Sequence, residues 1–163
     1  MHYGKKEIYE LLTQKGIRYR AIEHEAVYTM AETDALGLPE EGNIAKNLFL
    51  RDKKKNFFII VVAGEERMDL KLLGEQIGAK GLSFAQEKYM EELLGLTPGA
   101  VSPLGALNDS AHRVRVYVDE RFRGGVIAVH PNENTASVWL DADDLVRLLQ
   151  ESGTEVQYIH YEI

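Results

Sequence analysis

The sequence predicts an α/β protein of the α+β type, in which helices flank a mixed β-sheet. Strand-like and helical segments intermingle along its 163 residues, and several pairs of strands are separated by short polar turns typical of hairpins. Hairpins favour a mixed sheet over a doubly wound parallel sheet, because parallel strands need longer crossover connections. The length suits one domain with a substantial hydrophobic core, and we assign residues 1–163 to it.

The amino-terminal part of the chain alternates helix and strand signals. Apolar residues recur at helical spacing from Ile8 and predict a helix over 5–15 that ends at Gly16. Thr29 begins a capping-box pattern that predicts a short helix over 30–36. The other elements predicted up to residue 94 are a strand over 17–24, an apolar hairpin of strands 44–50 and 57–63, a helix over 70–77 capped by Asp69, an extended segment over 82–84 and a helix over 87–94.

The carboxy-terminal part predicts further strands and one helix. Residues 114–118 alternate valines with arginine and tyrosine, which is typical of a strand. Two strands over 125–130 and 135–140 form a predicted hairpin, and Asp141 caps a helix whose leucines share one face. A last strand is predicted over 156–161.

The bulk composition narrows the class of protein. Hydrophobic residues make up 45% and charged residues 28% of the chain, as in ordinary globular proteins. The amino terminus lacks the apolar core of a signal peptide, and no apolar run approaches a membrane span, so we expect a cytoplasmic protein with no membrane partner. A net charge of −7 argues against coating of DNA or RNA by a broad basic face, but it allows a grip on the end of an RNA. We expect no DNA partner.

Several catalytic motifs are absent from the chain. It has no cysteine and no glycine-rich phosphate loop of the P-loop or dinucleotide type. The five histidines show no metal-ligand spacing, and the segment around Ser83 lacks the second glycine of a nucleophile elbow. We therefore expect no metal and no cofactor. If the protein is an enzyme, it acts by positioning and hydrogen bonding.

The most informative segment is a loop rich in glycine and proline over 95–105, which is followed by Asn108 and Asp109. Glycine permits backbone conformations closed to other residues, while proline fixes φ and removes an N–H donor. The segment therefore predicts a shaped loop, with N–H groups that could orient a carbonyl or stabilise an oxyanion. A long surface connection is the alternative interpretation.

Two strand ends carry side chains that suit the same chemistry. Lys46 begins an apolar strand, where its ammonium group would be partly desolvated and could meet an anion such as phosphate. His130 ends another apolar strand, and a neutral imidazole can both donate and accept a hydrogen bond. The alternatives are structural: a lysine that extends to water, and a histidine at the shoulder of the turn over 131–134.

Together and in this order, these segments resemble the YbaK/ProX family of freestanding aminoacyl-tRNA deacylases, relatives of the editing domain of bacterial prolyl-tRNA synthetases. The matching segments are 46–50 (Lys-Asn-Leu-Phe-Leu), 69–71 (Asp-Leu-Lys), 82–85 (Leu-Ser-Phe-Ala), 99–105 (Gly-Ala-Val-Ser-Pro-Leu-Gly) with Asn108 and Asp109, and 130–132 (His-Pro-Asn) with Asn134. They span most of the chain. Within the family, the chain is most similar to the PrdX or ProXp-ala branch, which acts on Ala-tRNA(Pro).

The resemblance implies a curved sheet and hydrolysis of the ester that joins a wrong amino acid to tRNA. It implies the acceptor end of tRNA(Pro) as a partner, with prolyl-tRNA synthetase as a candidate second partner. It also implies that Lys46 meets the terminal adenosine or its phosphate, that His130 lines the aminoacyl pocket, and that a ribose hydroxyl of the substrate replaces a protein base. The site residues assigned on this basis are catalytic Lys46, Asn47 and His130, and substrate-binding Thr29, Gly99, Ala100, Val101, Ser102, Pro103 and Asn108.

Selectivity for alanine over proline would come from steric exclusion in a small pocket. Thr29, Met30 and Phe84 are candidate walls, although packing in the core is the favoured role for each. Arg51 and the lysines 53–55 could supply phosphate contacts, with a solvated hairpin turn as the favoured alternative. Three functional interpretations stay open: an Ala-tRNA(Pro) deacylase, a Cys-tRNA(Pro) or Ser-tRNA deacylase, and a non-catalytic module that binds aminoacyl-tRNA.

Overall fold

The computed structural model describes residues 2–25, 44–63 and 68–160 of the chain. Within these residues the helices are α1 (Lys5–Gln14), α2 (Leu70–Ile77), α3 (Glu87–Tyr89) and α4 (Ala142–Glu151), and a π-helical turn (Met90–Leu94) continues α3. The strands are β1 (Tyr19–Glu23), β2 (Lys46–Arg51), β3 (Phe57–Val62), β4 (Ser83–Phe84), β5 (Val114–Asp119), β6 (Val126–Val129), β7 (Ala136–Asp141) and β8 (Val156–Ile159). The helix predicted over 30–36 lies outside the described residues.

The mixed α+β fold predicted from the sequence is confirmed, and its strands are divided between two sheets. A five-stranded sheet has the order β4-β2-β3-β5-β8, with antiparallel β2–β3 and β2–β4 pairs and parallel β3–β5 and β5–β8 pairs. A three-stranded antiparallel sheet has the order β1-β7-β6. The hairpins are visible in the sequence, whereas the division into two sheets depends on long-range strand pairing.

The β2–β3 hairpin separates two hydrophobic clusters. Because side chains alternate along a strand, Leu48 and Leu50 face the side on which they pack with Leu73 of α2. The opposite side faces a larger cluster built from α1, α4, the π-helical turn and strands of both sheets. The alternation also places Lys46 on the α2 side and Asn47 on the side of the larger cluster.

The ends of α2 follow the predicted caps. The Asp69 carboxylate accepts the N–H groups of Lys71 and Leu72 at 3.0 and 3.1 Å, and Gly78 ends the helix in the left-handed conformation with φ of 73°. Asp141 stands at the N-cap position of α4, but its side chain makes no capping hydrogen bond there. No helix in the described ranges combines the length and the apolar character needed to cross a membrane.

The loop rich in glycine and proline contains two short 3₁₀ turns, Pro98–Ala100 and Pro103–Asn108, where the sequence predicts an irregular loop. Each turn begins with a proline, whose fixed φ fits a helical start and whose missing N–H has no helical partner at that position. The second turn also packs against the π-helical turn, so the loop is fixed by its neighbours.

Candidate functional site

The two sheets meet at the start of β2. Ile44 forms an isolated parallel bridge with Ala128 of β6, and the Ala45 N–H donates to the Ala128 carbonyl at 3.0 Å. Lys46 and His130 each lie two residues beyond this bridge in the same chain direction. The structure therefore brings the strand end that carries the lysine next to the strand end that carries the histidine.

Within the described residues, no strand pairs with the middle of β2 on the side away from β3. The Ala45 N–H on this edge bonds Ala128, and further along the Phe49 carbonyl accepts the Ala85 N–H at 3.0 Å. Backbone polar groups of alternate residues point to the same edge of a strand, so those of Asn47 face the gap between these two contacts. We call this stretch, 45–49 on the side away from β3, the β2 edge.

Lys46 and Asn47 begin β2, and both are half-buried. Within the described ranges, Lys46 forms no ion pair, and the Oδ1 atom of Asn47 is buried without a hydrogen-bond partner. A buried acceptor left unpaired costs roughly 1–3 kcal/mol. Such a group in a native protein indicates a place for a ligand or a water molecule.

His130 has a defined tautomer and charge. Its Nδ1 lies 2.8 Å from the Ala136 carbonyl, which can only accept, so Nδ1 carries the proton and Nε2 is an acceptor. Burial lowers the pKa of His130, the bond to Ala136 opposes this shift, and the charge of His24 adds to it. Because the pKa is depressed, the neutral ring contributes its full stability above the ordinary value of about 6.5 and loses it as the pH falls.

His24 is a neighbour of the site that sequence reasoning missed. Its ring centroid lies 6.1 Å from that of His130, with Nε2 2.9 Å from Ser137 Oγ and Nδ1 2.7 Å from the Glu25 carbonyl. His24 follows β1 and His130 follows β6, and these strands are the two neighbours of β7. The signal that could have found the pair is the strand order, which is not visible in the sequence.

Asn132 ties the turn after His130 to the loop rich in glycine and proline. Its Nδ2 donates to the carbonyls of Tyr3 at 2.8 Å and Leu104 at 3.3 Å. Its backbone is left-handed, with φ of 64°, a conformation in which asparagine is enriched. The loop, the histidine turn and the start of β2 are thus linked by direct contacts.

Inside the loop, several residues predicted to bind substrate pack or cap. Ser102 is fully buried, and its Oγ accepts the N–H two residues further on at 3.1 Å, which caps the second turn. Ala100 and Pro103 are also buried. Gly99 and Val101 are half-buried and have surface left to contact a substrate.

Asn108, another predicted substrate-binding residue, anchors the start of the chain. Its Oδ1 accepts the Tyr3 N–H at 2.6 Å, and its Nδ2 donates to the carbonyls of Leu94 at 2.8 Å and Tyr3 at 3.4 Å. Both polar groups of its amide are therefore engaged by the backbone. The structure places Asn108 between the second 3₁₀ turn, the π-helical turn and the segment before α1.

We expect Asn108→Ala to lower the free energy of unfolding by about 1–3 kcal/mol, because it leaves partly buried backbone groups unpaired. Urea denaturation measures this loss. Ser110→Ala, a change at an exposed neighbour, is the control and leaves the unfolding free energy close to that of the wild type. An unchanged unfolding free energy together with a raised KM would instead place Asn108 against the substrate.

The three predicted pocket walls have different outcomes. Thr29 and Met30 lie outside the described residues. For Phe84 the favoured prediction of core packing is wrong, because its side chain is 63% exposed. Phe84 lies in β4, a two-residue strand at the edge of the five-stranded sheet, where no further strand covers it within the described residues.

Among the described residues there is no group of three histidines or carboxylates that could hold a metal ion.

Comparison with known proteins gives a family match and full-length relatives. A family model for the aminoacyl-tRNA editing domain matches residues 24–148. The chain is 39% identical over 158 residues to the prolyl-tRNA editing protein ProX of Acetoanaerobium sticklandii, with 96% of each chain covered. It is 32% identical over 151 residues to prolyl-tRNA synthetase associated domain-containing protein 1 of Danio rerio, which covers 91% of this chain and 82% of that protein.

Solved structures share the fold. A crystal structure described as a candidate trans-editing enzyme for prolyl-tRNA synthetase superimposes with a TM-score of 0.71 at 24% identity, covering 97% of both chains. A scaffold used for computational grafting of epitopes gives the same TM-score at 22% identity, covering 98% of this chain and 97% of that chain. At these identities the likeness supports the fold alone.

Proposed function

Because the chain belongs to the aminoacyl-tRNA editing domain family, we propose that it is a trans-editing deacylase for mischarged Ala-tRNA(Pro). The proposal draws on the name of the ProX relative, a prolyl-tRNA editing protein. Its substrate is the acceptor end of tRNA(Pro), met in the cytoplasm, with prolyl-tRNA synthetase as a second partner. The proposed reaction uses neither a metal nor a cofactor.

One observation carries the proposal: three segments far apart in the sequence are linked around the start of β2. The bridge between Ile44 and Ala128 joins the strand ends of Lys46 and His130. The bond from Asn132 to Leu104 joins the histidine turn to the loop. A cation, an imidazole and a glycine-containing loop in one region suit a substrate that carries a phosphate, an amine and an ester carbonyl.

In this proposal Lys46 binds the terminal phosphate or adenosine of the tRNA. Lys46 is half-buried, and opposite charges attract more strongly in a partly desolvated place than in bulk water. Asn47 provides an unpaired buried oxygen that can accept a hydrogen bond from a hydroxyl or an amine of the substrate.

Hydrolysis needs little chemical assistance from the protein, because an aminoacyl ester is already activated. The oxygen of a water molecule attacks the ester carbonyl carbon, the bond from this carbon to the ribose oxygen breaks, and the ribose oxygen takes up the proton that the water loses. As the family resemblance implies, a ribose hydroxyl of the substrate takes the place of a protein base. The loop around Gly99 and Val101 holds the carbonyl end and stabilises the developing oxyanion.

His130 serves the aminoacyl pocket through its Nε2 atom. The proton is fixed on Nδ1, so Nε2 can accept an N–H from the α-ammonium group of the bound amino acid. A rigid ring in a small pocket also excludes a larger side chain by steric overlap, which supports alanine over proline as the substrate amino acid.

We expect His130→Ala to lower kcat/KM on Ala-tRNA(Pro) by about 10- to 100-fold, the usual effect of losing a hydrogen bond to a charged group. The ratio of rates on Ala- and Pro-charged tRNA also falls, because the pocket widens. Because burial lowers the pKa of His130, the wild-type rate declines as Nε2 becomes protonated at a pH below the ordinary histidine pKa of about 6.5. His130→Gln removes this decline. Unchanged rate and selectivity would restrict His130 to the turn.

A deacylation assay with tRNA(Pro) charged with alanine, cysteine, serine or proline tests the proposal. We expect the fastest hydrolysis with alanine. Preference for cysteine or serine would favour the alternative deacylases, which differ in the size and polarity of the pocket. Hydrolysis of none of the four, with tight binding of charged tRNA, would favour a non-catalytic binding module.

A further inference from the structure

Phe84 is the one large hydrophobic side chain that is exposed among the described residues, at 63% of its surface. It belongs to β4, which pairs with β2 through Leu50 opposite Phe84 and Arg51 opposite Ser83. An exposed aromatic ring on a short edge strand does nothing for the core. Single exposed apolar side chains are common on protein surfaces, so the ring indicates a contact only in combination with the cations near this end of β2.

Phe84 lies on the same face of the sheet as Lys46. Residues directly opposite each other in an antiparallel pair share a face, so Phe84 lies beside Leu50. Leu50 and Lys46 share a face because they are four residues apart in β2. At the usual rise of a strand, four residues span about 13 Å. A few nucleotides of single-stranded RNA can cover this distance.

Four lysines lie beyond the β2–β4 pair, in the turn after β2 and in the segment before β4. The Lys53 N–H donates to the Lys80 carbonyl at 3.0 Å, and carbons of the Lys53 side chain lie 2.5–2.9 Å from where a Cβ on Gly81 would stand, so this side chain packs over Gly81. Lys54 and Lys55 follow in the same exposed turn.

The acidic residue of this turn is Asp52, and Glu75 of α2 lines the same cavity as Lys80 and Gly81. The carboxylate of Asp52 is buried and accepts the N–H groups of Lys54 and Asn56 at 2.9 and 2.8 Å. Within the described ranges, Lys53, Lys55 and Lys80 form no ion pair. This local positive charge stands out in a chain with a net charge of −7.

We propose that Phe84 and the lysines at 53–55 and 80 form the docking surface for the unpaired 3′ end of the tRNA, with a base stacked on the Phe84 ring. This inference rests on the proposed function. An aromatic platform beside cations is the usual way in which proteins hold single-stranded nucleic acid without reading its sequence. Free ammonium groups match phosphates better than they match an apolar protein surface. The strand then runs from Phe84 along the β2 edge, and its terminal nucleotide reaches Lys46.

Titration of labelled, uncharged tRNA(Pro) against the purified protein, read by fluorescence anisotropy, tests this surface. Phe84→Ala and Phe84→Leu each weaken binding by roughly 5- to 100-fold, as expected from losing one base stack, whereas Phe84→Tyr binds like the wild type. A tRNA trimmed of its unpaired 3′ nucleotides binds wild type and Phe84→Ala equally. Lys53→Ala and Lys80→Ala each reduce the slope of log Kd against log salt by about one unit.

The control variant is Lys15→Ala. Lys15 lies at the end of α1 and pairs with Glu151, and its replacement is expected to leave tRNA affinity unchanged. Wild-type affinity in Phe84→Ala would overturn the proposal. Wild-type affinity in Phe84→Leu would also overturn it, because any apolar side chain would then serve, as in contact with a protein partner. Equal weakening with the trimmed tRNA would also overturn it, because Phe84 would then contact the duplex. The titration needs no ester hydrolysis, so a protein that deacylates nothing can still pass or fail this test.

Discussion

Lys46→Ala is expected to abolish hydrolysis of Ala-tRNA(Pro), with a loss in kcat/KM of roughly 10³-fold or more. The side chain begins β2, is half-buried and forms no ion pair within the described part of the chain. Its charge is therefore available to the substrate. In the proposed function, alanine removes the cation that holds the terminal nucleotide, so the ester carbonyl is no longer fixed against the loop. Steady-state deacylation of Ala-tRNA(Pro) measures the effect.

The fold is expected to survive this change, because Lys46 stands at a strand end and its side chain forms no ion pair with the described residues. Circular dichroism and the melting temperature check this point. Lys15→Ala removes a surface lysine whose ion pair with Glu151 is long, at 3.4 Å, and exposed, so its rate stays at the wild-type level. Turnover by Lys46→Ala within a few-fold of the wild type would refute the assignment of Lys46 to the site.

Gly99→Val is expected to lower kcat/KM by roughly 100-fold, the effect of misplacing reacting groups by about an ångström. Gly99 lies in the first 3₁₀ turn, between Pro98 and the buried Ala100, and is itself half-buried. A branched side chain there would project from the turn that, in the proposed function, lies against the ester carbonyl. Single-turnover hydrolysis of Ala-tRNA(Pro) separates this loss from weaker binding.

Gly125→Val is the matched control for this change. Gly125 is exposed and precedes β6 at the end opposite His130, and an added Cβ there meets nothing nearer than the Phe122 carbonyl at 3.5 Å. Its rate is expected to equal that of the wild type. If Gly99→Val hydrolyses the ester as fast as Gly125→Val does, the loop is only a connection between α3 and β5.

Most helices and strands follow from local signals. Asp69 and Gly78 bound α2 as predicted, since a carboxylate N-cap and a left-handed glycine act within one helical turn. The charged turn around Lys53–Lys55 joins β2 and β3 as predicted, because a hairpin turn also depends on neighbouring residues. The exposure of Phe84 was not predictable, because an apolar residue in a strand pattern carries no mark of whether its strand lies at the centre or at the edge of a sheet.

The candidate site also combines positions that the sequence indicates with contacts that the sequence does not indicate. Its sequence positions were recognisable as a motif, and Lys46 and His130 were placed correctly at strand ends. The engagement of Asn108 by the backbone and the approach of His24 to His130 were not recognisable, because both depend on contacts with β1 or with residues before α1.

By itself, the sequence determined most of the described helices and strands and the shaping of the loop by its prolines. These are outcomes of steric preferences and hydrogen bonds among neighbours in the chain. Only the tertiary structure decided that the start of β2 lies against the end of β6. It also decided that Asn132 donates a hydrogen bond to the Leu104 carbonyl of the loop. Such contacts join distant residues, and they are selected by the packing of the whole core rather than by any local preference.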